Sequence, residues 1–143
     1  MACAAALQVQ RIIEQDGLLA NVTKMGQLLS SLLKTAISRH PNVGDIRGRG
    51  LFWGIEFVQD KSTKQPFRAD AHVAMNISEM GLSKDYSMTV YPSSGTADGI
   101  LGDHIILAPP FNVTEKEVHK IVHGVARLVN DYFAQMDEKL YLN

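Results

Sequence analysis

Two strand-forming runs separated by a short Arg-Gly segment constrain the fold of this chain most strongly. Val43–Ile46 and Leu51–Val58 are both rich in residues that favour strands, and apolar residues occupy every second position from Leu51 to Phe57. Arg47–Gly50, written RGRG, joins the two runs, and its glycines can supply the positive φ that a tight turn needs. The sequence therefore predicts an antiparallel β-hairpin with its turn at Arg47–Gly50.

Two helical patterns precede the hairpin. Met1–Ile13 is rich in alanine and favours a helix, but no capping residue stands before Met1, which indicates a helix entered in its middle. Gly17–Arg39 repeats apolar residues at steps of three and four, and His40-Pro41 ends it because the residue before proline avoids helical geometry. The expected buried stripe of this second helix is Leu18, Val22, Met25, Leu29, Leu32 and Ala36 or Ile37.

The second half of the chain predicts one helix, two strands and a long final helix. The helix covers Ala69–Met80, and the strands cover Met88–Tyr91 and His104–Leu107. A polar segment with several glycines, PSSGTADGILGD, joins these strands.

The final helix has the clearest sequence signature. Thr114 and Glu117 are spaced as a capping box. An apolar stripe then follows at helical spacing: Val118, Ile121, Val122, Val125, Leu128, Val129, Tyr132, Phe133 and Met136. With no internal repeat and no shift of composition, residues 1–143 are expected to form a single small α+β domain.

Composition and charge fit a compact globular protein. The chain has 143 residues, of which 45% are hydrophobic, and a formal net charge of −1. It contains neither a run of about 18 apolar residues nor a signal-peptide pattern, so we expect a cytoplasmic protein without a membrane partner. Cys3 is the one cysteine, and nothing basic surrounds it to stabilise a thiolate, so it is expected to be a small packed residue.

The arginines of RGRG do not make a convincing nucleic-acid or phosphate site. Asp45 and Glu56 flank them and the chain is slightly acidic, which disfavours nucleic-acid binding. Gly48 and Gly50 followed by Gly54 lack the spacing of the dinucleotide fingerprint, and they precede a strand where that fingerprint opens a helix.

Three histidines are candidate metal ligands or bases. His119 and His123 share a helix face, but Lys120 stands where the zinc-protease pattern has glutamate, and no third ligand is near in sequence. The sequence therefore predicts surface histidines and no metal site. His104 lies inside a predicted strand, where a packed or hydrogen-bonded histidine is more common than a catalytic base.

The PSSGTADGILGD segment is the one loop whose composition suggests binding. Polar connections with several glycines often line sites because backbone groups can approach a ligand there, but a mobile surface loop has the same composition. Ser93 and Ser94 lack the nucleophile-elbow pattern, so a hydrolase triad has no local support.

Three segments, in this order and spacing, resemble the C-terminal part of class III (omega) aminotransferases. They are MACAAALQVQRIIEQDGLLANV, VGDIRGRGLFWGIEFV and VYPSSGTADGILGDHIILAPPFNVTEKEVHKIV. These aminotransferases are fold-type I enzymes that depend on pyridoxal 5′-phosphate. The resemblance implies that residues 1–143 form the small C-terminal domain, an antiparallel sheet with its hairpin packed against helices. Residues 1–16 would be the end of the linking helix region.

The resemblance also implies roles for two segments. Arg47–Glu56 would be a scaffold hairpin and not the reaction centre. The loop from Tyr91 to Asp103 would approach the substrate side of the active site. The candidate substrate contacts are Tyr91, Ser93, Ser94, Gly95, Thr96 and Asp98.

The chain departs from the family at the cofactor. Members bind pyridoxal phosphate through a Schiff-base lysine, and a threonine meets the cofactor phosphate of the partner subunit; both precede the motif that begins here at Met1. Without an amine that bonds the cofactor, the chain alone is not expected to transaminate and has no catalytic or cofactor-binding residue of its own. The lysines present, none of which matches, are Lys24, Lys34, Lys61, Lys64, Lys84, Lys116, Lys120 and Lys139.

A second departure concerns the substrate carboxylate. Many members carry an arginine near Gly99 or Ile106 that would bind a carboxylate through a bidentate pair. No arginine lies between Arg68 and Arg127, so a carboxylate donor would need an anchor from elsewhere.

The resemblance predicts part of an enzyme that transfers an amino group from an amine or amino acid to a keto acid or aldehyde. The chain would be truncated or read from an internal methionine. Its partners would be an aminotransferase large domain, a homodimer partner and small amine and keto substrates. The large domain would cover part of the first two helices and the hairpin face, so the isolated chain should expose a large apolar patch. The alternatives are a non-catalytic remnant or partner subunit that binds a large domain, and an unrelated small α+β binding protein.

Overall fold

The predicted order of helices and strands is confirmed. The computed structural model describes residues 2–141, with the side chains of 2–138; Met1 and the Lys139 side chain, both named in the sequence predictions, lie outside these ranges. No helix among the described residues combines the length and the apolarity that a membrane crossing requires. The elements are α1 (Ala2–Gln15), α2 (Leu18–Ile37), β1 (Val43–Arg49), β2 (Phe52–Phe57), a 3-10 turn (Ala69–Ala71), α3 (Val73–Leu82), β3 (Tyr91–Ser93), β4 (Asp103–Leu107) and α4 (Glu115–Tyr141).

The four strands form one antiparallel sheet in the order β1-β2-β4-β3. Ile46, Ile55 and Ile105 are neighbours in register and are buried in one core with apolar side chains of α2, α3 and α4. The predicted α+β class, an antiparallel sheet with its hairpin packed against helices, is confirmed.

The hairpin turn lies later than predicted. β1 continues to Arg49, so Arg47 and Gly48 are strand residues and the chain turns at Gly50–Leu51. Gly50 has the positive φ of 56° that the turn needs. Gly48 instead allows β1 and the start of β2 to approach each other closely, because a Cβ there would lie 2.2 Å from the carbonyl oxygen of Phe52.

Two boundaries in the second half were also wrong. The helix predicted over Ala69–Met80 is divided at His72, whose φ of 46° ends the 3-10 turn before α3 begins. The strand predicted at Met88–Tyr91 is shifted towards the C-terminus. Met88 N–H donates to Gly81 O at 2.8 Å, which holds this part of the chain against the end of α3, and only Tyr91–Ser93 pair with β4.

The two long helices next to the sheet carry most of the helical core. The capping box at the start of α4 is confirmed: Thr114 N–H donates to Glu117 Oε2 at 2.8 Å and Glu117 N–H donates to Thr114 Oγ1 at 3.3 Å. In α2, Leu33 is buried where the sequence predicted Leu32, and Ala36 is exposed. The buried residues of α2 are Met25, Gly26, Leu29, Leu33 and Ile37, and those of α4 include Val118, Val122, Val125, Leu128, Val129 and Phe133.

The first helix contributes no buried residue. Leu7, Val9 and Ile12 are exposed, and Ile13 is half-buried near the turn into α2. The prediction that Cys3 packs is wrong, because this end of α1 extends away from the core and leaves the thiol exposed.

Candidate functional site

The loop between β3 and β4 is organised by its own hydrogen bonds. Asp98 Oδ1 accepts hydrogen bonds from the N–H groups of Leu101 at 2.7 Å and Ile100 at 2.8 Å. These two bonds, with that from Leu101 the larger cause, lower the pKa of Asp98 from its ordinary value. Ala97 N–H donates to Leu101 O at 2.9 Å. Asp98 therefore shapes the loop from within, with its carboxylate already engaged.

A cavity of about 250 Å³ lies between this loop, β3 and the first turn of α3. Ser93, Ser94 and His72 line it together with the buried Asp103, a residue that is only 6% exposed. Asp103 Oδ1 accepts a hydrogen bond from Ala74 N–H at 3.0 Å, so β4 is fixed to the N-terminal turn of α3. The cavity thus has a rigid wall of strand and helix on one side and the loop on the other.

The structure brings together only some of the predicted site residues. Ser93 and Ser94 line the cavity, whereas Gly95, Thr96 and Asp98 lie in the loop without facing it. Tyr91 is 68% exposed and pairs with Ile106.

Sequence reasoning missed His72 and Asp103 as lining residues. Asp103 accepts a hydrogen bond from Ala74 N–H, 29 positions earlier in the chain, and this tertiary contact has no local sequence signal. His72 stands at the break of a helix that was predicted to be continuous.

The sheet face opposite the core carries a polar row. Asp45, Glu56, His104 and Ser93 are neighbours in register across the four strands. Arg47 forms ion pairs with Asp45 at 2.9 Å and with Glu56 at 2.5 Å, and these contacts raise its pKa. A guanidinium neutralised by two carboxylates is poorly suited to a phosphate backbone.

His104 is half-buried within this polar row. Burial first, and the nearby Arg47 second, lower its pKa and favour the neutral imidazole. Its buried Nδ1 has no hydrogen-bond partner among the described residues. The histidine is packed, as predicted.

The described lysines do not offer an amine at the cavity. Lys61 donates to the carbonyl groups of Ser38 and His40, Lys64 donates to Gly44 O, and Lys34 lies 5.6 Å from the ring centroid of Trp53. Neither a lysine nor an arginine is among the described residues that line the cavity. These residues therefore do not fit a cofactor that must be bonded by a lysine.

The remaining positions singled out in the sequence lie elsewhere. His119 and His123 are exposed on α4. Gly99 is exposed in the loop, and Ile106 is half-buried in β4.

Comparisons with known proteins agree on one family. A family model described as Aminotransferase class-III matches residues 1–129. An aminotransferase of Gibberella zeae is 46% identical over 127 residues, which cover 89% of this chain and 25% of the relative. A taurine–pyruvate aminotransferase of Bilophila wadsworthia is 38% identical over 122 residues, which cover 85% of this chain and 26% of the relative. The chain thus spans about a quarter of the length of these curated relatives.

Solved structures give the same result. A transaminase from the marine bacterium Virgibacillus has a TM-score of 0.82 and 30% sequence identity; the match covers 94% of this chain and 29% of that chain. An aminotransferase from Vibrio fluvialis, solved in a PMP-bound form, has a TM-score of 0.79 and 29% identity, with 92% and 27% covered.

Proposed function

Because the chain belongs to the class-III aminotransferase family, we propose that residues 1–143 act as the small C-terminal domain of a pyridoxal-phosphate-dependent aminotransferase. The intact enzyme would transfer an amino group from an amine or amino acid to a keto acid or aldehyde. The family match over residues 1–129 carries this proposal, since it includes all four strands and the start of α4. Residues 1–16 would be the end of the linking helix region, and a cytoplasmic homodimer is part of the same proposal.

In this reaction the domain would contact the substrate. Ser93 and Ser94 line the cavity, and a serine hydroxyl can both donate and accept a hydrogen bond, which suits a polar group of a small amine or keto substrate. The exposed Tyr91 ring offers an apolar contact with a hydroxyl at its edge. Gly95, Thr96 and Asp98 would hold the loop in shape.

The cofactor requires a lysine amine, which the described residues of the cavity do not provide. Pyridoxal phosphate supplies an electron sink when it is bound. The lysine that bonds it would come from an aminotransferase large domain, because the described lysines are engaged elsewhere or lie away from the cavity. Residues of the β3–β4 loop would then complete the substrate side of a cleft between the two parts.

The lack of a described lysine at the cavity also favours a second candidate function. The chain could bind an aminotransferase large domain as a non-catalytic partner subunit, or persist as a non-catalytic remnant. The family match leaves the unrelated small α+β binding protein without support.

A mixing experiment separates these candidates. The chain is combined with the part of the Gibberella zeae relative that it does not match, in the presence of pyridoxal phosphate, pyruvate and a panel of amines that includes taurine. Cofactor absorbance and product amino acid are measured. We expect amino transfer in the mixture and none with either component alone.

The site proposal is tested in the same mixture. Ser93→Ala with Ser94→Ala should lower kcat/KM, whereas Ser87→Ala, outside the cavity, should not. Binding without transfer would support the non-catalytic partner, and failure to bind would overturn the proposed domain role.

A further inference from the structure

Asp103 is a buried carboxylate that uses only part of its capacity to accept hydrogen bonds. The residue is 6% exposed, and its Oδ1 accepts from Ala74 N–H at 3.0 Å, which fixes β4 to the first turn of α3. Within the described part of the chain, Oδ2 has no hydrogen-bond partner, and the only enclosed side-chain polar atom without a partner is His104 Nδ1. Solvent therefore still reaches Oδ2. Since Asp103 lines the cavity beside the β3–β4 loop, this oxygen opens into that cavity.

No cation of the described chain balances the charge of this carboxylate. None of the ion pairs among the described residues includes Asp103, and its cavity is lined by neither a lysine nor an arginine. The N-terminal end of α3 supplies roughly half a positive charge, which leaves the site with a net negative charge. Buried charges in proteins are normally paired, because it is costly to remove an ion from water. The cavity therefore favours a cationic ligand.

The other lining residues favour an organic ammonium ion over a metal ion. No group of three or more side chains that could hold a metal occurs among the described residues. Ser93 and Ser94 line the cavity, and a serine hydroxyl can accept one of the three hydrogen bonds that an ammonium group donates. Most of the other lining residues are apolar and suit the methylene groups of an alkyl chain: Ala69, Ala74, Met75, Pro92, Ile100 and Leu101.

The size of the cavity limits the ligand to a small amine or to one end of a longer one. Its volume of about 250 Å³ lies below the roughly 300–1,000 Å³ of a site that takes a drug-sized molecule.

We propose that this cavity binds a primary ammonium group, with Asp103 Oδ2 as its anionic partner. A charge-assisted hydrogen bond in a partly enclosed site is stronger than the same bond in open water. In a reading that rests on the proposed function, the bound group is the second, non-reacting amine of a donor that carries two, because the reacting amine must meet the cofactor. The aminotransferase would then prefer a diamine to a monoamine of the same chain length.

Binding to this chain alone tests the ammonium site apart from any amino transfer. The isotope-enriched chain is titrated with n-butylamine at about pH 7, where a primary alkylamine is cationic, and with n-butanol, which has a similar shape and no charge. NMR signals of Ala74 and Leu101 should shift saturably with the amine, and the alcohol should bind at least about 10-fold more weakly. Potassium chloride at the same ionic strength should not move these signals.

A conservative variant tests the role of the carboxylate. Asp103→Asn removes the charge and keeps an oxygen that can accept from Ala74 N–H, and it should weaken amine binding by about 10-fold or more. Glu79→Gln is the matched control, because it removes an equal charge from an exposed position of α3 outside the cavity, and it should bind the amine as the unchanged chain does. Circular dichroism checks that both variants fold.

Two results would overturn the ammonium site. One is an unchanged chain that binds the alcohol as tightly as the amine or shows no saturable shift with the amine, a comparison that needs no variant. The other is a folded Asp103→Asn variant that keeps the amine affinity of the unchanged chain.

The donor preference is tested in the mixture with the unmatched part of the Gibberella zeae relative. The value of kcat/KM for the diamine with an amino group at each end of the butane chain should exceed that for n-butylamine. Asp103→Asn should bring the two values closer together, whereas Glu79→Gln should keep their ratio. Amine binding to the chain without amino transfer in the mixture would overturn the proposed function and leave the ammonium site in place. Transfer with equal kcat/KM for both amines would overturn the diamine preference.

Discussion

α4 and α1 both repeat apolar residues at helical spacing, but only α4 buries them. α4 begins with a capping box and places a stripe that includes Val118, Leu128 and Phe133 in the core. α1 has no buried residue. Periodicity predicts which face of a helix is able to pack. Whether that face is buried depends on whether another apolar surface lies against it.

The two helices also differ in what makes them helical. α1 is rich in alanine, the residue with the highest intrinsic helix propensity. α4 contains Val118, Val122, Val125 and Val129, whose branched side chains lose rotamer freedom in a helix. Burial of these valines offsets their lower propensity. α1 is therefore a helix by local preference and α4 by tertiary packing.

The largest expected effect is a cavity in α4. Leu128 is fully buried, so Leu128→Ala should lower the free energy of unfolding by about 2–5 kcal/mol in a denaturant titration. Val9→Ala in α1 is the matched control, and at concentrations where the chain is monomeric it should change that free energy by less than about 0.5 kcal/mol. Equal losses from the two variants would show that α1 packs as tightly as α4 in solution.

The elements of the fold could be predicted because each carries its own local signal. The errors arose where tertiary contacts determine the boundary of an element or its buried face. Gly48 resembles a turn glycine, but it is a strand residue that lets the chain pass close to Phe52 O. The strand near Val90 begins later than its composition suggests because pairing with β4 fixes its position. Positions 32 and 33 are both leucine, so the residue type does not show which one is buried. The rotation of α2 about its axis against the sheet places Leu33 in the core.

The candidate site could be predicted only as a loop. Glycine and serine content indicated the segment that contains Ser93 and Ser94, which do line a cavity. The opposite wall depends on Asp103 accepting a hydrogen bond from the first turn of α3, and no residue near Asp103 in sequence announces that contact. The sequence shows only that an acidic residue opens a strand whose last three residues are apolar.

A smaller effect is expected from the cap of α4. Thr114→Ala removes the hydroxyl that accepts from Glu117 N–H and should cost about 1 kcal/mol of unfolding free energy. Thr23→Ala in α2 is the matched control, because its hydroxyl bonds only to Leu19 O one turn back. If α4 is held by packing alone, the two variants will be equally stable, and the cap will contribute nothing to the contrast with α1.

The smallest expected effect is a pH dependence of stability that arises where His40 packs against α4. α1 contains no histidine, whereas His40 packs 5.2 Å from the ring centroid of Phe133 in α4. Burial first, and the nearby Lys61 second, lower the pKa of His40 from its ordinary 6.5. The unfolded chain therefore binds a proton more readily than the folded one, so stability present above about pH 6.5 is lost as pH falls through the folded pKa.

His40→Asn isolates this contribution. His40 Nδ1 accepts from Asn42 N–H at 3.1 Å, and an asparagine oxygen can take that place without titrating. The variant should show a flatter loss of unfolding free energy between about pH 7 and about pH 5, with the remainder owed to His104, whose pKa is also lowered by burial. His123→Asn, the same substitution at an exposed position of α4, is the matched control. If His40→Asn leaves the slope as it was, protonation of His40 does not weaken the packing around Phe133.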